Sequence, residues 1–193
     1  MSGTGFMLDL DRCVGCGACV LACRMEQGRS DEVPRRRLVP FNLDRVPGGP
    51  TWHFSMACHH CENPACLRAC PAGAFERRAD GIVVLDGERC LGCRYCEMAC
   101  PFGAPVFDER AGIMMKCDFC RERIDSGLSP ACVAACPVGA LSRLTDDDEG
   151  AEPPASIPGF IDPAGCRPSL RFREPGGELR ERRLERLRKV LGE

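Results

Sequence analysis

Sixteen of the seventeen cysteines in this chain fall into four groups of four. The first and third groups have the spacing C-x2-C-x2-C-x3-C, and the last three groups each end in Cys-Pro-x-Gly-Ala. In two-cluster ferredoxins, three cysteines spaced two residues apart bind one cubane and the fourth binds its neighbour. The pattern therefore predicts four [4Fe-4S] clusters. The groups are, in chain order, Cys13, Cys16, Cys19, Cys23; Cys58, Cys61, Cys66, Cys70; Cys90, Cys93, Cys96, Cys100; and Cys117, Cys120, Cys132, Cys136.

Two other uses of so many cysteines are a disulfide scaffold and structural zinc. A secreted disulfide scaffold is disfavoured because the cysteine count is odd and the apolar run at 6–10 is too short for a secretory signal. Zinc is the stronger alternative, since pairs such as Cys58 and Cys61 could supply half of a four-thiolate site. A zinc site gains nothing from a third cysteine two residues later. A zinc-stabilised interaction protein therefore stays as the alternative of a different class.

Charge and hydropathy exclude several classes of function. The net charge is −2 and no basic stripe is interleaved with aromatic residues, so nucleic acid is not an expected partner. No apolar stretch approaches the roughly 20 residues that span a bilayer. The apolar fraction of 44% includes the cysteines, which leaves a thin core. We expect metal binding to supply much of the folding free energy, and the metal-free chain to be largely unfolded.

Comparison of the chain with itself predicts an internal duplication. Residues 8–16 (LDLDRCVGC) match residues 85–93 (LDGERCLGC). Residues 64–74 (PACLRACPAGA) match residues 130–140 (PACVAACPVGA) in the same way. Groups one and two therefore resemble groups three and four, as a repeated supersecondary unit would.

Local patterns predict small elements between the cysteines. Hairpins are expected over 74–85, around an Asp-Gly pair, and over 106–115. One-turn helices are expected at 66–70 and 96–100, because a proline directly after each disfavours further helix. The predicted fold class is α+β: two ferredoxin-like dicluster [4Fe-4S] modules related by internal duplication, with small strands and short helices, plus an extended C-terminal tail.

Two segments lie outside this repeat. Residues 28–51 form an insertion whose arginines at 35–37 we interpret as a solvated face, with a partner contact as the other interpretation. Residues 146–193 form an acidic, proline-rich linker and tail, with a helix expected at about 178–191. Cys166 lies alone in this tail and is expected to be a non-ligand thiol.

The remaining residues offer no catalytic motif. We find no phosphate-binding glycine loop, no C-x3-C-x2-C radical loop, and no paired nucleophile and base. His59 and His60 are expected to tune the adjacent cluster or cap its loop, with proton coupling as the functional alternative. Trp52 is expected to pack. The chain is therefore predicted to relay electrons, and catalysis to reside in partners.

In this order and spacing, the groups resemble the iron-sulfur (beta) subunit of dimethyl sulfoxide reductase and related molybdopterin oxidoreductases. The second group reads C-x2-C-x4-C-x3-C-P and the last C-x2-C-x11-C-x3-C-P. The stretches 58–66 (CHHCENPAC) and 90–105 (CLGCRYCEMACPFGAP) also match. The resemblance covers roughly residues 5–145. It implies a non-catalytic electron-transfer subunit of a respiratory oxidoreductase complex used in anaerobic respiration.

The resemblance also implies a nested pairing that spacing alone leaves open. Each cluster would take its fourth ligand from a partner group, and electrons would pass along the four sets in the order given below. His59 and His60 would then lie at the last, quinone-facing end. The sets are Cys13, Cys16, Cys19 with Cys136; Cys117, Cys120, Cys132 with Cys23; Cys90, Cys93, Cys96 with Cys70; and Cys58, Cys61, Cys66 with Cys100.

This pairing implies domains and partners. Residues 1–27 with 112–145 would form the outer dicluster module, and 52–111 the inner one. A Mo/W-bis-PGD catalytic subunit would bind at one end and a quinone-reactive membrane-anchor subunit at the other. We expect a membrane association through the partner on the cytoplasmic side, or export in the folded state with a signal-bearing partner. A relay subunit of a hydrogenase or formate dehydrogenase is the alternative within the same chemistry.

Overall fold

A computed structural model describes residues 4–28, 34–41, 52–144, 165–173 and Glu185. In these ranges the chain forms short strands and short helices in mixed order, as the sequence predicts for an α+β protein. The strands are β1 Phe6–Asp9, β2 Arg37–Phe41, β3 Trp52–Met56, β4 Phe75–Arg77, β5 Val83–Leu85, β6 Val106–Asp108, β7 Ile113–Met115, β8 Leu141–Arg143 and β9 Leu170–Arg173. The helices are α1 Ala18–Glu26, α2 Ala65–Arg68, α3 Tyr95–Ala99, α4 Arg121–Asp125 and α5 Ala131–Ala134.

Strand β1 is the centre of a three-stranded sheet in the order β8-β1-β9. It pairs antiparallel with β8, where Phe6 faces Arg143, and parallel with β9, where Phe6 faces Leu170. Phe6, Met7 and Leu8 are each at most 3% exposed, so both faces of the strand are buried. A strand covered on both faces needs the continuous apolar run that this segment has.

Both predicted hairpins are confirmed. β4 pairs with β5, and Asp80 Oδ1 accepts a hydrogen bond from the Ile82 N–H at 3.1 Å in the connecting turn. β6 pairs with β7, and Asp108 Oδ1 accepts from the N–H groups of Arg110 and Ala111, both at 3.1 Å. Asp side chains that bind the backbone in this way are typical of tight turns. A third hairpin joins β2 to β3.

The predicted one-turn helices are also confirmed, as α2 and α3. These two helices pack against each other, and α1 packs against α5. The main apolar core contains Phe6, Leu8, Phe54, Ile82 and Phe172 and includes several of the cysteines. The cysteine-bearing loops are therefore attached directly to the core. None of the helices in the described ranges is long and apolar enough to cross a membrane.

The structure corrects the interpretation of residues 35–37 as a solvated face. Arg36 is 2% exposed, and Arg35 and Arg37 are half-buried. Arg37 donates to the carbonyl oxygens of Phe102 at 2.7 Å and Gly103 at 3.0 Å. The run lies against the cysteine loops because β2 pairs with β3, which leads into the second cysteine group.

The tail beyond residue 145 is more structured than a linker where it is described. Residues 170–173 form β9 on the central sheet, and Ser169 N–H donates to the His59 carbonyl at 2.8 Å. The segment 145–164 lies outside the described residues. The same holds for the predicted helix at 178–191 except for Glu185, which is helical.

Candidate metal centres

The four C-x-x-C loops share one backbone feature. In each loop the residue before the second cysteine has a left-handed φ angle. These residues are Gly15 at +71°, His60 at +45°, Gly92 at +66° and Phe119 at +62°. Non-glycine residues rarely adopt this conformation, and where they do they tend to cluster at functional sites. The sequence reasoning missed it for His60 and Phe119, although glycine at the same position in the other two loops is a visible signal.

The left-handed bend directs backbone N–H groups at sulfur. The N–H of His60 points at Cys58 Sγ, 3.5 Å away, and the N–H of Phe119 at Cys117 Sγ, 3.4 Å away. The Met114 N–H makes the corresponding contact with Cys90 Sγ at 3.4 Å from a neighbouring strand. N–H donors that face sulfur favour the thiolate, which is the form that binds metal.

The Cys-Pro-x-Gly-Ala endings form a second repeated unit. In each, the alanine N–H donates to the cysteine sulfur four residues earlier: Ala74 to Cys70 at 3.3 Å, Ala104 to Cys100 at 3.5 Å, and Ala140 to Cys136 at 3.2 Å. The glycine in the turn has φ between +55° and +60° in all three copies. The alanine side chains are at most 5% exposed. The motif therefore fixes one sulfur, aims a donor at it and anchors the turn in the core.

The first group meets the last in space. Burial raises the pKa of Cys13, and the N–H of Gly15 opposes that shift. The nearby thiols of Cys19, Cys136 and Cys16 raise this pKa further. We call these four cysteines the Cys13 site. Cys16 is exposed and Cys19 is buried, so the site lies at the surface with one side in the core.

A second set of thiols lies deeper. Burial raises the pKa of Cys23 to about 11, where Arg36 opposes the shift and Cys132 and Cys120 add to it. Burial also raises the pKa of Cys117, which has Cys132 and Cys23 among its neighbours. These four cysteines, the Cys117 site, are all buried.

The last cysteine of each inner group lies beside thiols of the other inner group. Burial raises the pKa of Cys96 to about 11, and Cys90 and Cys70 are the neighbouring thiols that add to the rise. Cys93, which is exposed, follows Cys90 in the same C-x-x-C loop, and we call these four cysteines the Cys90 site. Burial raises the pKa of Cys66 to about 12, and Cys58 and Cys100 add to it. With Cys61 these form the Cys58 site, and all four of its cysteines line one pocket.

The expected order of the two inner sites is wrong. Cys58 lies close enough to Cys117 to raise its pKa, and both thiols are buried. Cys93 of the Cys90 site is exposed, as Cys16 is at the other end. The Cys58 site is therefore interior, beside the Cys117 site, and the Cys90 site faces outward. Position along the chain does not indicate this order, because the Cys58 thiol of the second group, and not a thiol of the third group, lies beside Cys117.

The two histidines between Cys58 and Cys61 are buried, at 2% and 0% exposed, and so do not lie at an outward-facing end. His60 Nδ1 accepts from the Val83 N–H at 3.1 Å, and its ring packs edge-on to Phe119 with centroids 5.3 Å apart. Burial lowers its pKa well below the ordinary value. The His59 ring packs on Phe102 at 4.5 Å. The contacts of His60 hold the loop in its left-handed conformation, in line with the loop-capping role.

Cys166 has neighbours that its position in the chain does not indicate. It is buried and lines the same pocket as the Cys58 site. Its carbonyl accepts from the Asn63 N–H at 3.0 Å, and the next carbonyl, of Arg167, accepts from the Glu62 N–H at 2.8 Å. The tail therefore supports the loop between Cys61 and Cys66.

Arg36 is a buried cation among thiols, and sequence reasoning did not find it. Burial lowers its pKa, but four cysteines outweigh that effect and raise it overall; these are Cys132, Cys117, Cys19 and Cys23. Its Nη1 donates to Ser55 Oγ at 2.8 Å and Ser55 O at 3.1 Å. Within the described residues, its Nε and Nη2 have no hydrogen-bond partner. A buried charge needs a compensating charge nearby.

These features test whether the residues fit iron-sulfur clusters. All seventeen cysteines are free thiols, and sixteen of them gather in four sets. Donors face several sulfurs, and the orphaned nitrogens of Arg36 call for an anionic neighbour such as a thiolate-ligated cluster. In the described part of the chain, no three His, Cys, Asp or Glu side chains lie close enough to hold a single metal ion. A [4Fe-4S] core is larger than one ion and needs wider spacing. The donor set therefore fits clusters.

Comparisons with known proteins agree with this chemistry. Residues 51–145 match a family model described as a 4Fe-4S dicluster domain, and residues 4–25 match one described as a 4Fe-4S binding domain. The zinc alternative is not supported by either match. The protein thus binds [4Fe-4S] clusters and has ferredoxin-like dicluster architecture.

Relatives of known name share most of the chain. It is 45% identical over 145 residues to the iron-sulfur subunit of the anaerobic dimethyl sulfoxide reductase of Escherichia coli (strain K12), with 71% of each protein covered. It is 37% identical over 179 residues to a subunit of the sulfite dehydrogenase of Allochromatium vinosum, covering 81% of this chain and 74% of the relative. A subunit of the tetrathionate reductase of Salmonella typhimurium is 38% identical over 136 residues, covering 69% and 54%. The chain therefore belongs to the family of iron-sulfur electron-transfer subunits typified by that of dimethyl sulfoxide reductase.

Proposed function

We propose that this protein carries four [4Fe-4S] clusters as a wire between a Mo/W-bis-PGD catalytic subunit and a quinone-reactive membrane-anchor subunit. The observation that carries this proposal is the gathering of fifteen of the sixteen grouped thiols into four mutually influencing sets. Cys93 joins the last set by its position in the same C-x-x-C loop as Cys90. These sets support the nested ligand assignment given above for all sixteen cysteines. Clusters of this kind supply one-electron transfer. The chain's part is to hold them, orient them and exclude water from the interior ones.

The order Cys13, Cys117, Cys58, Cys90 is the path we propose. The exposed thiols Cys16 and Cys93 support placing the first and last of these sites at the partner interfaces. The burial of Cys58 and Cys117 supports interior positions for the other two. By the family resemblance, the Cys13 end faces the catalytic subunit and the Cys90 end faces the membrane anchor.

Apolar surface next to each end supports two docking interfaces. On α1, which begins two residues after the exposed Cys16, Leu21 and Met25 are 60% and 74% exposed and lie one turn apart. Near the Cys90 site, Tyr95 and Met98 are 54% and 72% exposed on α3. Large apolar side chains next to an exposed redox ligand are suited to burial against a partner, as at protein interfaces generally.

Two dicluster modules fit the packing of the elements. Contacts of α1 with α5, and pairing of β1 with β8, support an outer module made of residues 1–27 with 112–145. Packing of α2 on α3 supports an inner module at 52–111, and the pairing of β6 with β7 moves its end from residue 111 to residue 115. The internal duplication stays a prediction. We also propose membrane association through a partner, on the cytoplasmic side.

Anaerobic purification with metal analysis tests this function. A tagged chain should bring down a larger molybdopterin-containing subunit and a membrane subunit. Four clusters predict sixteen irons and sixteen acid-labile sulfides per chain, matching the sixteen grouped cysteines. A reduced quinone analogue should then reduce the clusters in the intact complex. Replacing Cys93 with Ser should block that route while leaving electron entry from the catalytic side. Two clusters per chain, or reduction by quinol unaffected by Cys93→Ser, would contradict the proposal.

A further inference from the structure

We propose that the buried guanidinium of Arg36, relayed in part through Ser55, is a fixed positive charge shared by the Cys13 and Cys117 sites that raises the reduction potentials of both clusters. This inference rests on the proposed function, since it takes the two sites to be cluster sites. It assigns Arg36 a positioning and tuning role within the electron path. It also explains why one arginine of the run at 35–37 is buried rather than solvated.

The charge of Arg36 is buried without a carboxylate. Within the described residues, no Asp or Glu forms an ion pair with it, whereas neighbouring Arg35 pairs with Asp118 at 3.7 Å. Its Nη1 bonds are to the neutral oxygens of Ser55. Its guanidinium also lies over the ring of Phe6, 4.5 Å from the centroid. Neutral partners of this kind hold the group in place without cancelling its charge.

The same guanidinium reaches both sites of the proposed outer module, the Cys13 site and the Cys117 site, whose clusters are called the outer clusters below. Toward the Cys13 site, Nη1 donates to Ser55 Oγ at 2.8 Å, and Ser55 Oγ lies 3.3 Å from Cys19 Sγ. Because the hydroxyl accepts from Arg36, its own proton is free to be donated to a Cys19 thiolate. Toward the Cys117 site, Arg36 lies beside Cys132 and lowers its pKa against the larger effect of burial. One side chain therefore faces a sulfur of each set.

A fixed cation in this position changes the reduction potential of a nearby cluster, and the effect involves no proton transfer. Reduction of a [4Fe-4S] cluster adds one electron from the neighbouring donor, and the charge of the site becomes more negative by one. A nearby positive charge stabilises the more negative state, and low polarity strengthens the effect. Charge and hydrogen bonds to sulfur are established levers on cluster potential. A cation between two sites raises both potentials together, so the potential difference between the two clusters changes little.

Potentiometric titration followed by electron paramagnetic resonance tests this. The two outer signals are first identified by their loss in Cys16→Ser and Cys120→Ser. Arg36→Met removes the charge and keeps much of the apolar stem. We expect the equilibrium constant for reduction of both outer clusters to fall at least tenfold, which is about 59 mV for a one-electron couple. Arg36→Lys keeps the charge and should retain most of the native potential.

Two further variants distinguish the effect that Arg36 exerts through Ser55 from the direct effect of its charge. Ser55→Ala should lower the potential of the Cys13-site cluster and leave that of the Cys117 site near native. Arg37→Met is the matched control, since it removes the same charge one residue later, where the side chain bonds to Phe102 and Gly103. It should leave both outer potentials unchanged.

The experiment distinguishes failure of the Arg36 proposal from failure of the proposed four-cluster function. Iron content below four clusters in the native protein would contradict the proposed function. Four clusters with outer potentials unmoved by Arg36→Met, or moved equally by Arg37→Met, would overturn the role of Arg36 alone. If Arg36→Met does not assemble, Ser55→Ala and Arg36→Lys decide the question. A Ser55→Ala variant with no selective shift at the Cys13 site, or an Arg36→Lys variant that loses the native potential, then overturns it.

Discussion

Gly92 is the residue at which the loop conformation can be tested most sharply. It has φ +66° in the C-x-x-C loop of the Cys90 site, and a Cβ added there would press on the carbonyl oxygen of Gly112 and lie 3.2 Å from Phe107 Cε2. Gly112 itself has φ +67°, but a Cβ at that position would meet nothing within 4 Å. Alanine at 112 therefore introduces backbone strain alone, whereas alanine at 92 introduces strain and a clash with backbone.

The expected difference in stability between Gly92→Ala and Gly112→Ala follows from the backbone strain and the clash. A left-handed conformation costs an L-residue about 1–2 kcal/mol, so both variants are destabilised by that amount. Overpacking against a neighbour that cannot move adds about 1–3 kcal/mol for Gly92→Ala. Since about 1.4 kcal/mol is a tenfold change in an equilibrium constant, the loop should open roughly 5-fold to 150-fold more often in Gly92→Ala than in Gly112→Ala.

Cluster loss to an iron chelator under anaerobic conditions measures this opening. The rate of loss of visible absorbance should rank native slowest, then Gly112→Ala, then Gly92→Ala. The faster phase should correspond to four irons, those of one cluster. Equal rates in the two alanine variants would refute the reasoning, because it would mean that the contact with Gly112 does not constrain the loop.

Two other predictions concern the core and the tail. Phe6 is 2% exposed, and its ring centroid lies 4.6 Å from that of Phe119. Phe6→Ala should lower the free energy of unfolding by about 3–5 kcal/mol. Its midpoint of anaerobic urea unfolding should lie well below that of a Phe6→Leu control. A midpoint equal to native would contradict the central position of β1. Cys166→Ser should retain the native iron content, because the Cys58 site has four other thiols. Loss of about four irons per chain would instead make Cys166 a ligand.

The local features of this protein could be predicted because their causes are local. The one-turn helices predicted at 66–70 and 96–100 need only a proline directly after each to stop further helix. The hairpin over 74–85 needs only an Asp-Gly turn between apolar strands. Cysteine spacing likewise indicates that three thiols of a group can face one cluster, and it leaves open which group supplies the fourth.

The burial of Arg36 could not be predicted from its neighbours in the chain. Charged runs are usually solvated, and nothing in the residues around it departs from that rule. Its environment is made by Phe6, Ser55 and thiols from the first and last cysteine groups, which only the folded chain brings together. The same reason applies to β9, which pairs with β1 from more than 160 residues away.

The order of the inner sites also depends on tertiary structure. The resemblance implies that Cys70 and Cys100 exchange between groups, whereas the order expected from it places the wrong inner site at the outward-facing end. The exposure of Cys93 and the proximity of Cys58 to Cys117 decide it. The left-handed conformation of His60, by contrast, can be inferred from the sequence, because glycine occupies the equivalent positions of two other loops.

Serine replacement of single ligands, read by electron paramagnetic resonance and iron content, tests the nested path most directly. Cys136 lies in the fourth group of the chain, yet the thiols near it are those of the first group. Cys136→Ser and Cys16→Ser should therefore perturb the same signal, and Cys120→Ser a different one. If Cys136→Ser instead perturbs the signal affected by Cys120→Ser, the ligands are not exchanged between groups and the proposed wire is wrong.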